Sequence, residues 1–241
     1  MRIRSPLLFL ALASLVAAPA LADRRGYSVT SFTRLRLEGP VTLKIEVGGS
    51  PAGYAEGDRE AIDRIRVDNG GDQLLVSIDR SNWMGEERHG IGKGVLHIST
   101  PSIEALSVIG AGDVTVDRVP GSRFTLILTG AGRADVGGIA VDQLVVGING
   151  AGTARLMGHA SQLRIRSQGD GQVDGAALSA QDADTSLIGA GTIRLRSERT
   201  ARNLLKGSGT IIIDGKPACT GTSEGSGQVL CGTDEPPPSS R

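Results

Sequence analysis

The sequence predicts an all-β protein, a parallel β-helix with about 20 residues in each coil. The triplet Gly-x-Gly occurs seven times, with starting glycines separated by 20, 20, 19, 20, 18 and 18 positions. Apolar and polar residues alternate on both sides of most triplets, as expected for strands with one buried face. A repeat near this length is typical of solenoids. The glycines of the first six triplets are Gly110, Gly112, Gly130, Gly132, Gly150, Gly152, Gly169, Gly171, Gly189, Gly191, Gly207 and Gly209, and the seventh triplet starts at Gly225.

The strands of each repeat follow from columns of equivalent residues. Two positions after the second glycine the residue is apolar in every repeat, namely Val114, Ala134, Ala154, Val173, Ile193, Ile211 and Val229. Four positions after it the column is apolar apart from one glycine, namely Val116, Val136, Leu156, Gly175, Leu195, Ile213 and Cys231. Most residues between these columns are polar. Each repeat therefore predicts a strand, a Gly-x-Gly corner, a second strand and a return segment.

The triplet glycines are expected to form the corners of the coils, because glycine adopts positive φ without the steric penalty of a Cβ atom. The small middle residue is expected to fit where coils crowd together. Coils stacked ~4.8 Å apart would pair equivalent strands and bury the apolar columns. Two other architectures use similar residues. A left-handed hexapeptide helix needs an aliphatic residue every six positions, a phase lost at Gly132, and an antiparallel meander needs turns about every 8 to 12 residues.

The N-terminal third keeps the alternation but lacks the triplet. The segment FTRLRLEGPVTLKIEVG resembles a degenerate coil with Pro40 at the bend. The segment GDREAID predicts one helical turn, and IDRIRVDNGGDQLLVSID predicts two strands around the turn Asn69-Gly70-Gly71. We expect one domain over residues 28–232, with irregular coils in 28–105 and regular coils in 106–232.

Residues 1–22, MRIRSPLLFLALASLVAAPALA, are typical of a signal peptide. Arg2 and Arg4 precede an apolar run that is too short to span a bilayer, and Ala20-Leu21-Ala22 supplies small residues for cleavage. We expect export to the periplasm, the cell surface or the medium, with an uncleaved anchor as the alternative. The C-terminal residues 233–241, TDEPPPSSR, are expected to be disordered.

Charge and aromatic content argue against nucleic acid as a partner. Removing Arg2 and Arg4 with the leader leaves 24 basic against 26 acidic residues. This balance provides no positive surface for nucleic acid or anionic membranes. Few aromatic rings remain for stacking on bases or sugars, namely Trp83, Tyr27, Tyr54, Phe32 and Phe124.

The order of segments then resembles a known family. FTRLRLEGPVTLKI, GDREAIDRIRV and LHISTPSIEALSVIGAGDV, followed by Gly-x-Gly coils, are similar to the putative auto-transporter adhesin, head GIN domain family. The resemblance covers roughly Phe32 to Ile213. It implies a right-handed β-helix and an adhesive role at the bacterial envelope, and it brings no catalytic residues with it.

Cys219 and Cys231 are the only cysteines. An exported chain meets oxidising conditions, so we expect a disulfide across the last coil, with two buried thiols as the alternative. No metal site or cofactor is expected, because His89, His97 and His159 are scattered without the spacing of zinc ligands.

Two polar clusters are candidates for other chemistry. Trp83, Glu86, Glu87 and His89 lie in a long polar loop, where charged residues are usually only solvated. Asp170, Asp174, Asp182 and Asp184 could gather at one edge as a calcium site or as the carboxylates of an enzyme. No acidic column is repeated to support a calcium cage, so polar loop residues facing water are favoured.

These observations predict an exported, non-enzymatic β-helix that acts as an adhesin or envelope-interaction module, binding a glycan or a protein at a surface. One alternative is a polysaccharide-acting lyase or hydrolase that uses the Asp170 to Asp184 edge, or a carbohydrate-binding module. A third hypothesis is a structural protein that forms homo-oligomers through its exposed coil faces.

Overall fold

The computed structural model describes residues 23–79 and 94–233. Within these ranges the chain forms one continuous sheet and a single short helix, α1 (Arg59–Asp63). The strands are β1 (Asp23–Tyr27), β2 (Arg34–Glu38), β3 (Thr42–Val47), β4 (Ala52–Gly57), β5 (Ile65–Gly70), β6 (Gln73–Ile78), β7 (Gly94–Thr100), β8 (Ala105–Gly110), β9 (Asp113–Val116), β10 (Val119–Gly130), β11 (Arg133–Gly150), β12 (Thr153–Gly169), β13 (Gln172–Gly189), β14 (Thr192–Gly207), β15 (Thr210–Asp214), β16 (Ala218–Glu224) and β17 (Gln228–Thr233).

The longest strands bend around a whole coil, so the sheet winds into a solenoid with two main faces. Face A, which precedes the Gly-x-Gly corner in each coil, runs in the order β5, β6, β2, β8, β10, β11, β12, β13, β14, β16. Face B, which follows the corner, runs in the order β1, β4, β7, β3, β9, β11, β12, β13, β14, β15, β17. A short third segment closes each regular coil, as in the pairing of Val119 with Ile139.

Equivalent residues lie over one another, as the sequence columns predicted. On face B, Val114 pairs with Ala134, and the same register continues through Ala154 to Val173 and Ile193. All five side chains are buried. The core of the described chain is a stack of such columns, so each buried Val, Leu or Ile is shielded by its equivalents above and below and contributes roughly 1.5–3 kcal/mol. The prediction of a parallel β-solenoid is confirmed.

The two positions of a triplet require glycine for different reasons. The first has positive φ, for example +108° at Gly130 and +115° at Gly150. The second does not, but a Cβ atom on Gly191 would lie 2.2 Å from the carbonyl oxygen of Gly171 in the preceding coil. The middle residue, such as Ala131, is exposed. The expectation that crowding selects the small middle residue is therefore wrong, because the crowded position is the second glycine.

The N-terminal coils stack out of chain order. The degenerate coil β2–β3 lies directly against β8 and β9, with Gly39 at its corner in positive φ. Strands β6 and β7, later in the chain, lie beyond it at the end of the stack. Three antiparallel pairings then finish this end: β5 with β6, β4 with β7 and β1 with β4. In the described chain, the antiparallel architecture considered from the sequence thus applies only to this end.

The predicted local elements of the N-terminal third are present with one shift. Helix α1 supplies the predicted turn of helix, and Ala61 and Ile62 are buried against the end of the solenoid. The Tyr27 hydroxyl donates a hydrogen bond to the Ile62 carbonyl at 2.9 Å. The predicted hairpin forms, but β5 extends through Gly70, so the turn is Gly71–Asp72 rather than Asn69-Gly70-Gly71. The antiparallel strands and α1 cover this end of the core and leave less open sheet edge.

At the other end, the core tapers. The inward columns of face A finish at Cys219, Gly221 and Ser223 of β16, a strand whose residues are all exposed. A disulfide joins Cys219 of face A to Cys231 of face B, with the two Cα atoms 6.5 Å apart. The disulfide therefore links the two faces of the last coil, where little apolar packing holds them together.

Replacing a corner glycine is expected to destabilise the stack. In G150A the new Cβ would lie 2.7 Å from the Gly130 carbonyl oxygen, at a φ of +115°. We expect the free energy of unfolding, measured by urea denaturation with circular dichroism, to fall by roughly 1–3 kcal/mol or more. The control is G147A in the same coil, where the nearest atom to a new Cβ is 3.9 Å away and the change should stay within about 0.5 kcal/mol. Equal losses in both variants would contradict the corner role.

Removing the disulfide is expected to loosen the last coil. The double variant C219S/C231S opens a covalent loop with a sequence separation of 12 and should lower the free energy of unfolding by roughly 2–3 kcal/mol. A reductant should destabilise the wild-type protein by a similar amount and leave the double variant unchanged. A wild-type protein insensitive to reductant would show that this bond does not stabilise the fold.

Candidate functional site

The outward side of face A carries a concave polar surface across the last regular coils. Two adjoining depressions of about 470 Å³ and about 680 Å³ share Asp184, Arg202 and Thr220 in their walls. Together they extend from Gln143 on β11 to Thr222 on β16. We call this combined surface the face A groove.

The groove forms because large and small side chains alternate between stacked strands. Arg166 of β12 is flanked in register by Gly147 of β11 and Ser186 of β13. Neither neighbour fills the space beside the arginine. Since the coils lie only ~4.8 Å apart, a glycine or serine between long side chains leaves a hollow.

Most charges around the face A groove are paired across neighbouring coils. Arg164 lies 3.6 Å from the Asp184 carboxylate, measured from Nε to Oδ2, and Lys206 lies 3.1 Å from Glu224. Asp182 accepts a hydrogen bond from Arg199 Nε at 2.9 Å and another from the Thr200 hydroxyl at 2.6 Å. The hydrogen bond from Arg199, with that from Thr200, lowers the pKa of Asp182 to about 2. The carboxylate is therefore ionised at physiological pH.

Within the described part of the chain, two cations of the groove have no such partner. Among the described residues, no carboxylate lies within salt-bridge distance of Arg166 or Arg202. Both side chains line the larger depression, and both residues are exposed. The groove therefore offers two free guanidinium groups alongside the hydroxyl groups of Ser186, Thr220 and Thr222.

The four aspartates singled out in the sequence are not brought together. Asp182 and Asp184 lie on face A, two residues apart on β13, whereas Asp174 lies on face B and contacts Arg155 at 3.4 Å. Asp170 is exposed at a corner. Over residues 23–79 and 94–233, no group of three or more His, Cys, Asp or Glu side chains could hold a metal ion. The candidate cluster Trp83, Glu86, Glu87 and His89 lies outside the described residues.

A second polar cluster, missed in the sequence, lies on the antiparallel end of face B. Tyr54 stacks on His97 with ring centroids 4.6 Å apart, and Arg24 lies 3.8 Å from the centre of the Tyr54 ring. His97 Nε2 is 3.1 Å from a Glu56 oxygen. Both sides of the tyrosine ring are thus occupied, so it offers no free platform for a sugar or a base. The cluster depends on the antiparallel pairing of β4 with β7, which the local sequence pattern does not specify.

No helix in the described part of the chain has the length and apolar character needed to cross a membrane.

Comparison with known proteins gives matches over most of the chain. The model of the family described as putative auto-transporter adhesin, head GIN domain, matches residues 31–217. A solved structure of a putative adhesin from Bacteroides fragilis is similar with a TM-score of 0.80 and 22% identity, covering 88% of this chain and 97% of that chain. Among curated proteins, no significant match was found.

Two further solved structures share the fold. A putative lipid binding protein from Parabacteroides distasonis has a TM-score of 0.65 and 14% identity, covering 88% of this chain and 97% of that chain. A putative adhesin from Parabacteroides merdae has a TM-score of 0.62 and 14% identity, covering 88% of this chain and 96% of that chain. At such identities the likeness concerns the fold alone.

The ion pair of Asp182 leads to a testable pH dependence. The pKa of Asp182 is lowered from 3.8 to about 2 in the folded chain. The ionised carboxylate therefore stabilises the fold fully at pH values above 3.8, the pKa of the unfolded chain. This stabilisation is lost as the pH falls toward about 2, the pKa in the folded chain. In R199Q the pKa of Asp182, followed by carboxyl carbon NMR, should rise toward 3.8. In the control R155Q, whose arginine lies on face B, the Asp182 titration should not change. An unchanged titration in R199Q would contradict the assignment.

Proposed function

Because the chain belongs to the putative auto-transporter adhesin, head GIN domain family, we propose that it is an exported, non-enzymatic adhesin that binds a surface ligand through the face A groove. The observation that carries this proposal is the groove itself, a polar concavity built on parallel strands held in register from β11 to β16. A site on paired strands keeps its geometry better than a site on loops.

The polar lining supports binding to a hydrated surface. Gln143, Gln162 and Thr200 provide amide and hydroxyl groups in the smaller depression, and Ser186 and Thr222 provide hydroxyls in the larger one. Such groups exchange hydrogen bonds readily with the hydroxyls of a glycan or with the polar surface of a protein. A glycan or protein ligand is therefore proposed, and nucleic acid and membranes are not.

The state of the carboxylates supports binding over hydrolysis. A glycosidase needs one carboxyl group that can donate a proton and a second that acts as base or nucleophile. Asp182 is held ionised by Arg199, and Asp184 is paired with Arg164. The alternative of a polysaccharide-acting enzyme therefore receives no support from the aspartates on which it was based.

The proposal includes export and a single folded unit. Residues 1–22 would direct the chain across the membrane and be removed, and residues 28–232 would form one domain in the periplasm, on the cell surface or in the medium. The disulfide of Cys219 and Cys231 fits an oxidising compartment.

The function is tested by binding of residues 23–241, which contain all the described elements, to glycan arrays and to isolated bacterial envelopes. We expect saturable binding that S186W, which fills the face A groove, weakens at least about tenfold. The control T153W places the same side chain on face B and should bind normally. Absence of binding to every surface, or release of shortened or unsaturated sugar products, would contradict the proposal.

A further inference from the structure

We propose that the face A groove binds an acidic polysaccharide, with Arg166 and Arg202 pairing with its anionic groups. This inference rests on the proposed function, because it names the class of ligand that the same groove takes. The observations that carry it are the unpaired guanidinium groups, the charge balance of the groove and its length.

The register gives Arg166 no neighbouring carboxylate, and it gives Arg202 only Asp184, which also lies beside Arg164. Arg166 lies between Gly147 and Ser186, neither of which carries charge. Arg202 lies in a column whose neighbours on face A are Asp184 and Thr220, and Asp184 is already paired with Arg164. This column contains Arg164 and Arg202 but only one aspartate, Asp184. It therefore retains one positive charge, whichever of these two arginines the aspartate contacts.

The charge in the larger depression favours an anion. Of its described lining residues, Arg166 and Arg202 are cationic and Asp184 alone is anionic, and the Asp184 carboxylate is paired with Arg164 of the smaller depression. Guanidinium groups bind carboxylates and sulfates through paired, charge-assisted hydrogen bonds. The adjacent hydroxyls of Ser186, Thr220 and Thr222 can bind the uncharged hydroxyls of a sugar.

The length of the groove favours a polymer over a small anion. It crosses five strands, from β11 to β16, which at ~4.8 Å for each step is roughly 19 Å. A single monosaccharide or phosphate would fill only part of that length. An extended chain lying along the stack could present acidic groups to both arginines.

The composition of the walls favours a polysaccharide over single-stranded nucleic acid. Proteins that bind single strands combine cations with aromatic rings on which the bases stack. Among the residues that the structure describes, neither depression of the groove has an aromatic side chain in its walls. Bases would therefore have no ring to stack on in the groove. The hydroxyls and acidic groups of a polysaccharide could bind its hydroxyl and guanidinium groups.

The test measures binding of residues 23–241 to four immobilised polymers: polygalacturonate, dextran sulfate, neutral dextran and an oligo-dT strand. We expect polygalacturonate to bind saturably, to weaken as NaCl is raised, and to lose affinity about tenfold in each of R166Q and R202Q. R133Q is the matched control. It removes an exposed arginine from face B that likewise contacts no carboxylate among the described residues, and it should bind like the wild-type protein.

The outcomes separate the ligand class from the function. Tighter binding to dextran sulfate, with the same loss in R166Q and R202Q, would identify sulfate rather than carboxylate as the anion and would still support the inference. Binding to neither acidic polymer, equal losses in R133Q, or tighter binding to oligo-dT would overturn it. If S186W still abolished binding to envelopes in that case, the adhesive function would stand and only the ligand class would be wrong.

Discussion

The structure depends on one constraint, the close approach of consecutive coils at the Gly-x-Gly corners. The Ala151 amide donates a hydrogen bond to the Gly130 carbonyl at 3.0 Å, and the Thr153 amide donates one to the Gly132 carbonyl at 3.0 Å. The same pair of bonds repeats in most of the regular coils. Backbones this close leave little room for a Cβ atom on the triplet glycines, so the corners set the register of the strands on either side of them.

This register is also what creates the face A groove. Because the coils lie in phase along face A from β11 to β16, an outward side chain there lies beside the equivalent residues of the neighbouring coils. Arg164 therefore lies beside Asp184, while Arg166 lies between Gly147 and Ser186. Paired charges, free charges and hollows all follow from which residues share a column. The face A groove is thus a consequence of stacking, and its walls consist of strand residues.

The regular coils could be predicted from the sequence because their signals are local and repeated. Ser167, two positions before the triplet that starts at Gly169, is buried like the apolar residues in register with it, Ile148 and Leu187. The stacking order of the N-terminal strands could not be predicted, because it differs from their order in the chain. Strands β6 and β7 pair with one side of the β2–β3 coil, whereas β8 and β9, which follow them in the chain, pair with its other side. The charge pairing in the groove could not be predicted either, because Arg164 and Arg202 share a column with Asp184 and only the side-chain geometry shows that Arg164 is its partner. The sequence also did not predict a buried hydrogen bond that the Thr185 hydroxyl donates to the Asn203 side-chain oxygen at 2.8 Å.

Distances between spin labels along one outward column test the stacking most directly. Thr129 is in register, through Asn149 and Gln168, with Ile188, Lys206 and Glu224. Labels at 129 paired with 188, 206 or 224 span three, four and five coil steps, so their backbone separations should be roughly 14, 19 and 24 Å. A steady increase of one step per coil is the predicted result. Distances that shorten or fail to rise from one pair to the next would show that these segments do not lie one above another.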